Sequence, residues 1–222
     1  MEQNPYSPRF DALPDSLPIF PLGGVLLLPG GQLPLNIFER RYLDMVDHAM
    51  RHDRIFGMIQ PLQTPENHDS PVPALYKTGC AGKIIDFKET PDGRYLITLN
   101  GICRFDIKEE LPPQQGFRSI RANWAPYKQD LDGKDCLGLD RDHLHNLLKS
   151  YFSKEELECD WASIEKSTDN KLITCLSMIC PFEARDKQAL LEAPCCKTRG
   201  EMFISMLEMA VKGNVAEPLS QH

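Results

Sequence analysis

Two histidines, His48 and His52, stand four residues apart in a stretch with helical spacing. That spacing puts both imidazoles on one helix face and supplies half of a zinc-binding set. The residues between them, Ala49, Met50 and Arg51, place no glutamate in the general-base position of a helical zinc protease, so no metal site is expected there. His143 and His145 do not share a face. The eight cysteines contain no Cys-x-x-Cys, and neither Cys175/Cys180 nor Cys195/Cys196 has a partner pair at zinc-like spacing. No metal and no cofactor is expected. Lys149 and Ser150 are adjacent, so a helix cannot turn them toward each other as a dyad. No serine sits in a Gly-x-Ser-x-Gly elbow. The activated nucleophile that peptide hydrolysis needs is therefore missing. The pairs Gly23-Gly24 and Gly30-Gly31 are not followed by Gly-Lys-Ser or Gly-Lys-Thr and read as turn glycines rather than a phosphate loop.

Binding chemistry concentrates instead in Asn36-Ile37-Phe38-Glu39-Arg40-Arg41-Tyr42. This segment joins a strand to a helix and mixes aromatic with charged side chains, a combination that suits a binding edge. Phe38, Glu39, Arg41 and Tyr42 are the candidates, with Arg104 beside Phe105 as a fifth. The competing reading places Phe38 and Tyr42 in the core, pairs Glu39 with an arginine, and leaves Arg104 facing water.

The elements that must position these residues divide by hydrophobic period. Up to Tyr127 the period is close to two. Leu17–Leu22 is a proline-edged extended segment. Val25–Leu28 is a short apolar run closed by Pro29-Gly30-Gly31, and it predicts a buried strand. Tyr42, Met45, Val46 and Ala49 then predict one helix over Arg40–His52. A strand over Ile55–Ile59 and a proline-rich loop from Pro61 to Pro73 follow. Lys83–Lys88 and Arg94–Leu99 flank Thr90-Pro91-Asp92-Gly93 and predict a hairpin. Asn100-Gly101 marks a second turn or bulge before Ile102–Ile107, and Ile120–Trp124 alternates again. Strands so closely spaced suggest a closed or nearly closed antiparallel sheet.

After Lys128–Gly138, which has the composition of a linker, the period changes to about 3.6. Leu144, Leu147, Leu148, Tyr151 and Phe152 form one stripe, and Leu172, Cys175, Leu176 and Ile179 another. Met202, Phe203, Met206, Leu207 and Ala210 form a third, stopped at Gly213. Ser153–Glu156 and Thr198–Glu201 match capping boxes. The domain expectation is a β-rich lobe over 10–127 and a helical lobe over 128–216.

Of 222 residues, 41% are hydrophobic and 26% charged, ordinary proportions for a folded chain. Net charge is −7; there are 13 basic and 15 acidic residues up to Tyr127, and 12 and 17 after it. Neither part carries a basic footprint, so a nucleic-acid partner is not expected. No apolar run approaches the roughly 20 residues that span a bilayer, and Met1–Phe10 does not have the pattern of a signal peptide. A cytoplasmic protein with reduced, buried cysteines is the expectation, without a membrane partner.

The order of elements is also similar to a known family. Leu17–Glu39, LPIFPLGGVLLLPGGQLPLNIFE, resembles the opening of the LON N-terminal (substrate-binding) domain. The glycine before a strand at Gly79, the Pro-Asp-Gly hairpin, and the strand through Gly101 to Arg104-Phe105 resemble its middle. Pro181-Phe182 and Lys187–Glu192 resemble its close, so the likeness spans about residues 17 to 211. It implies an α+β fold: a PUA-like antiparallel pseudo-barrel with one helix, followed by an all-helical lobe. It also implies a stand-alone bacterial LON-domain protein, with neither ATPase nor protease machinery, that binds proteins or unfolded peptides in protein quality control. The alternatives are a small-molecule or RNA binder on the barrel and a hydrolase with an unrecognised site.

Overall fold

Apolar side chains that recur every second residue need a second sheet or a closed one to bury against, and this chain closes one. The computed structural model describes residues 8–62, 73–114, 116–132, 138–158 and 160–212. Six strands run β1 (Ser16–Pro21), β2 (Gln32–Ile37), β3 (Ile55–Ile59), β4 (Thr78–Glu89), β5 (Tyr95–Gln114) and β6 (Phe117–Asn123). Their order is β2-β5-β4-β3-β1-β6, and β6 pairs again with β5. Five strands therefore form a ring, with β2 attached outside it along the first part of β5. The twenty residues of β5 make this geometry: Tyr95–Asn100 serves β2, and Asp106–Gln114 closes on β6.

The sequence predicts an antiparallel sheet, and the sheet is antiparallel except at one pairing. β1 and β3 are parallel, with Ile19 opposite Gly57. The connection between them contains β2 and the helix α1 (Arg40–Met50), which is long enough to return the chain in the same direction. Leu17, Ile19, Ile102, Phe105, Ile120 and Trp124 belong to the cluster that fills the ring. A Cβ on Gly57 or Gly79 would lie 2.7 or 2.5 Å from the Phe105 ring, so the two glycines leave the space this ring occupies.

Local signals account for the other departures. Leu26, Leu27 and Leu28 are buried as expected but lie in no strand. Asn100-Gly101 is a bulge rather than a turn: Gly82 faces Gly101 while Ala81 faces Cys103, so Ile102 is the extra residue. A side chain at Gly101 would meet the Leu28 carbonyl oxygen at 2.0 Å, which requires glycine there. Lys128–Leu131, read as linker, belongs to a 3-10 turn over Ala125–Leu131.

The helices after residue 138 are α2 (Arg141–Lys154), α3 (Trp161–Lys166), α4 (Asp169–Ile179), α5 (Ala184–Glu192) and α6 (Cys196–Lys212). The chain separates into two compact units, residues 1–134 with 174–192 and residues 135–173 with 193–222. In the first, α5 is tied to the barrel by polar groups. Gln60 Nε2 donates to the Ala184 carbonyl at 2.8 Å, and Lys187 Nζ donates to the Gly24 carbonyl at 3.0 Å. Burial lowers the pKa of Lys187. In the second, Leu144, Leu148, Phe203 and Leu207 are buried on α2 and α6. The α4 stripe is rotated from expectation: Leu172, Ile173 and Leu176 are buried, whereas Cys175 and Ile179 are exposed. The helix stop at Gly213 and most of the Pro61–Pro73 loop lie outside the described residues.

Candidate functional site: an open strand edge

Among the described residues, β2 pairs with β5 and with no other strand. A strand pairs through alternate residues on each side. Pro34 has no N–H to give β5, so its nitrogen belongs on the open side. Gln32 and Asn36 share that parity, and their N–H groups point outward with it. All three residues are exposed. The edge thus presents two donors interrupted by one proline.

Register fixes which side chains accompany the edge. Ile37, Leu35 and Leu33 face Tyr95, Ile97 and Leu99, and the buried members of this set lie on the core side. Asn36 and Pro34 face Leu96 and Thr98, so they share the opposite face. One step further out come Phe38 and Arg94. The Arg94 guanidinium lies 5.9 Å from the Phe38 ring centroid, within cation–π reach. Phe38 is 64% exposed and Leu96 40%, two large apolar side chains on one wet face. Lys88, opposite Leu96 on β4, is exposed beside them.

The hairpin and α1 hold this face in place. The Tyr95 hydroxyl donates to Asp47 Oδ1 at 3.0 Å; burial and that hydrogen bond raise its pKa. Phe87 packs edge-on against Tyr95 at 4.9 Å. Arg41 pairs with Glu39 at 2.8 Å, and Arg40 pairs with Asp44 at 2.9 Å. Glu39, Arg41 and Phe38 are all at the surface.

Two of the five sequence-derived candidates are not at the surface. Tyr42 is buried, with Phe20 at 4.2 Å on one side and the Arg41 guanidinium over its ring at 4.6 Å. Burial raises its pKa, against the pull of Arg41. Arg104 is 2% exposed, neither a contact for a partner nor a residue facing water. Its Nε and one terminal nitrogen donate to the two oxygens of Asp130 at 2.9 and 2.8 Å, and its other terminal nitrogen donates to the Leu191 carbonyl at 3.0 Å. Its guanidinium lies over Tyr127 at 4.6 Å. Burial opposes the charge on Arg104, but hydrogen bonds and the charge of Asp130 outweigh it and raise the pKa.

Leu96 and Arg94 escaped the sequence reading. The signal was present: in Tyr95–Leu99 the core residues are odd-numbered, which leaves Leu96 as an apolar side chain at an outward position.

The residues considered for catalysis do not assemble. Ser150 Oγ donates to the Asn146 carbonyl in its own helix, and Lys149 lies over Trp161 at 5.8 Å. Gly24 is a turn residue whose N–H donates to Gln60. Cys80, Cys103 and Cys180 are buried free thiols, and Cys175 and Cys195 are exposed free thiols. The expectation of buried cysteines is corrected at Cys175 and Cys195. No helix among the described residues is long and apolar enough to cross a membrane.

Residues 16–209 match the family model of the ATP-dependent protease La (LON) substrate-binding domain. The chain is 24% identical to the Lon protease of Cytophaga hutchinsonii over 91% of its own length and 25% of that protein. It is 25% identical to Lon protease 1 of Hydrogenovibrio crunogenus over 87% of its length and 24% of that protein. The chain thus spans about a quarter of the length of these curated relatives. Among solved structures, a Lon N-terminal domain protein from Xanthomonas campestris superposes with a TM-score of 0.58 at 26% identity, covering 86% of this chain and 97% of that one. The N-terminal domain of Lon protease from the Mycobacterium avium complex has the same fold, with a TM-score of 0.59 at 15% identity over 87% of this chain and 98% of that one.

Proposed function

The chain belongs to the LON substrate-binding domain family, and on that premise we propose that it binds extended or unfolded polypeptide at the β2 edge and does not cleave it. The observation that carries this reading is the coincidence of a strand edge left open among the described residues with exposed Phe38 and Leu96 on the face beside it. A peptide adding to an edge gains main-chain hydrogen bonds that any sequence can supply, while alternate side chains reach the neighbouring surface. Phe38 and Leu96 would take apolar residues, with Arg94, Glu39 and Arg41 at the rim. Pro34 leaves the edge two donors, so affinity is weak, and a single module lacks the avidity of an assembled array. The roles of Phe38, Glu39 and Arg41 are part of this proposal; Tyr42 and Arg104, both buried, are not. A cytoplasmic place in protein quality control is the setting in which such binding would serve.

Fluorescence anisotropy with labelled casein fragments tests it. Saturable binding is expected, weakened by Phe38→Ala and by Asn36→Pro while the thermal midpoint stays put. In a casein gel assay over many hours, with or without ATP, no fragments are expected. Reproducible cleavage abolished by mutating one serine or cysteine would reinstate the hydrolase reading. Failure to bind any polypeptide at high micromolar concentration would favour the small-molecule reading.

A further inference from the structure

The end of α1 opposite the Phe38 junction carries His48 and His52, whose rings stack with centroids 4.4 Å apart. Both line a surface cavity of about 290 Å³, together with Asp53, Ser16 and Ser119. His52 Nδ1 lies 2.7 Å from the His48 carbonyl oxygen. A carbonyl only accepts, so Nδ1 carries the proton and the bare nitrogen of neutral His52 is Nε2. This arrangement, one ring nitrogen donating to a backbone carbonyl and the other left with its lone pair, is the one that prepares an imidazole for a metal ion.

We propose that His48 and His52 form a two-histidine site for a divalent transition-metal ion, Zn²⁺, Ni²⁺ or Cu²⁺, at the end of α1. Imidazole nitrogens suit these ions. Two Zn–N bonds of about 2.0–2.1 Å at a tetrahedral angle set the nitrogens about 3.3 Å apart, and the two ring centroids stand 4.4 Å apart. The C-terminal end of a helix carries partial negative charge that favours a cation, and the Asp53 carboxylate lines the same cavity. Arg51 stands between the two histidines in the chain, and its charge opposes a bound cation. Among the described residues no three His, Cys, Asp or Glu groups are poised around one point. The protein therefore supplies two ligands and leaves the other positions to water or to a small donor in the cavity. The sequence reading set this pair aside for want of a glutamate base, but a base is needed for hydrolysis and not for binding.

The test is isothermal titration of the full chain with Zn²⁺ at pH 7.5, after chelator treatment and alkylation of exposed thiols. One equivalent binding in the micromolar range is expected. His52→Ala, at an exposed residue with no core contact, should weaken it by about tenfold or more, as should His48→Gln. Zn²⁺ affinity that is the same in wild type and His52→Ala, or no binding in the micromolar range, would overturn the proposal.

Discussion

At the residue scale, Arg104 shows how a buried charge can be misread from alternation. It sits between Cys103 and Phe105, both on the inside of the ring, so period two assigns it to the outer face. It does point outward, but the 3-10 turn bearing Asp130 and the end of α5 cover that face. Period gives the side of a strand, not what lies over it, and the covering residues come from a segment that reads as linker. Removing one member of a buried pair leaves the other uncompensated, which costs about 3–5 kcal/mol. Arg104→Met should therefore destabilise the protein by that amount in urea unfolding, whereas Arg104→Met with Asp130→Leu should recover most of it. The thiols give a second residue-scale test. Burial pushes Cys103 up to about 12, while the Thr198 hydroxyl and the first backbone N–H groups of α6 lower the pKa of exposed Cys195. A lower pKa means more thiolate at a given pH. Iodoacetamide at pH 8 should modify Cys195 well before Cys103 in the native protein, as read by peptide mass spectrometry, and Thr198→Val should slow it.

At the element scale, turn chemistry was legible and helix ends were less so. Thr90-Pro91-Asp92-Gly93 makes a hairpin turn in which the Gly93 N–H donates to the Thr90 carbonyl, and the Thr90 N–H donates to the Arg94 carbonyl, both at 2.9 Å. Gly93 has φ +77°, the left-handed residue that follows a type I turn in a three-residue loop. Gly93→Val should cost on the order of 1 kcal/mol and lower the thermal midpoint. The Ser153–Glu156 capping pattern misled because a local motif takes no account of where the preceding helix stops. Ser153 is still inside α2, and Glu156 is its left-handed terminator at φ +54°. The Leu157 N–H donates to the Phe152 carbonyl at 2.9 Å, the closing bond of a Schellman motif. Glycine is the usual residue there, and a side chain costs about 1–2 kcal/mol. Glu156→Gly should raise the midpoint, less whatever entropy glycine adds to the unfolded chain. Thr198–Glu201 failed similarly, since α6 already begins at Cys196.

At the scale of the whole molecule, the change of hydrophobic period near residue 128 marked where strands give way to helices, and the likeness of Leu17–Glu39 to the LON family located the fold. Compactness groups the chain differently from period: residues 174–192 are helical yet belong with the barrel, through Gln60, Gln188 and Lys187. Long-range polar pairing of this kind has no local sequence signature. The proposed binding edge was half legible. Phe38, Glu39 and Arg41 were identifiable as a junction, but an open edge depends on what β2 fails to pair with, and only topology shows that. The central claim is that polypeptide adds to β2, and amide hydrogen exchange resolved to single residues, with and without a saturating casein fragment, tests it most directly. Slowed exchange at Gln32 and Asn36, the two outward donors, is the predicted result; unchanged exchange at both, with protection appearing elsewhere, would contradict it.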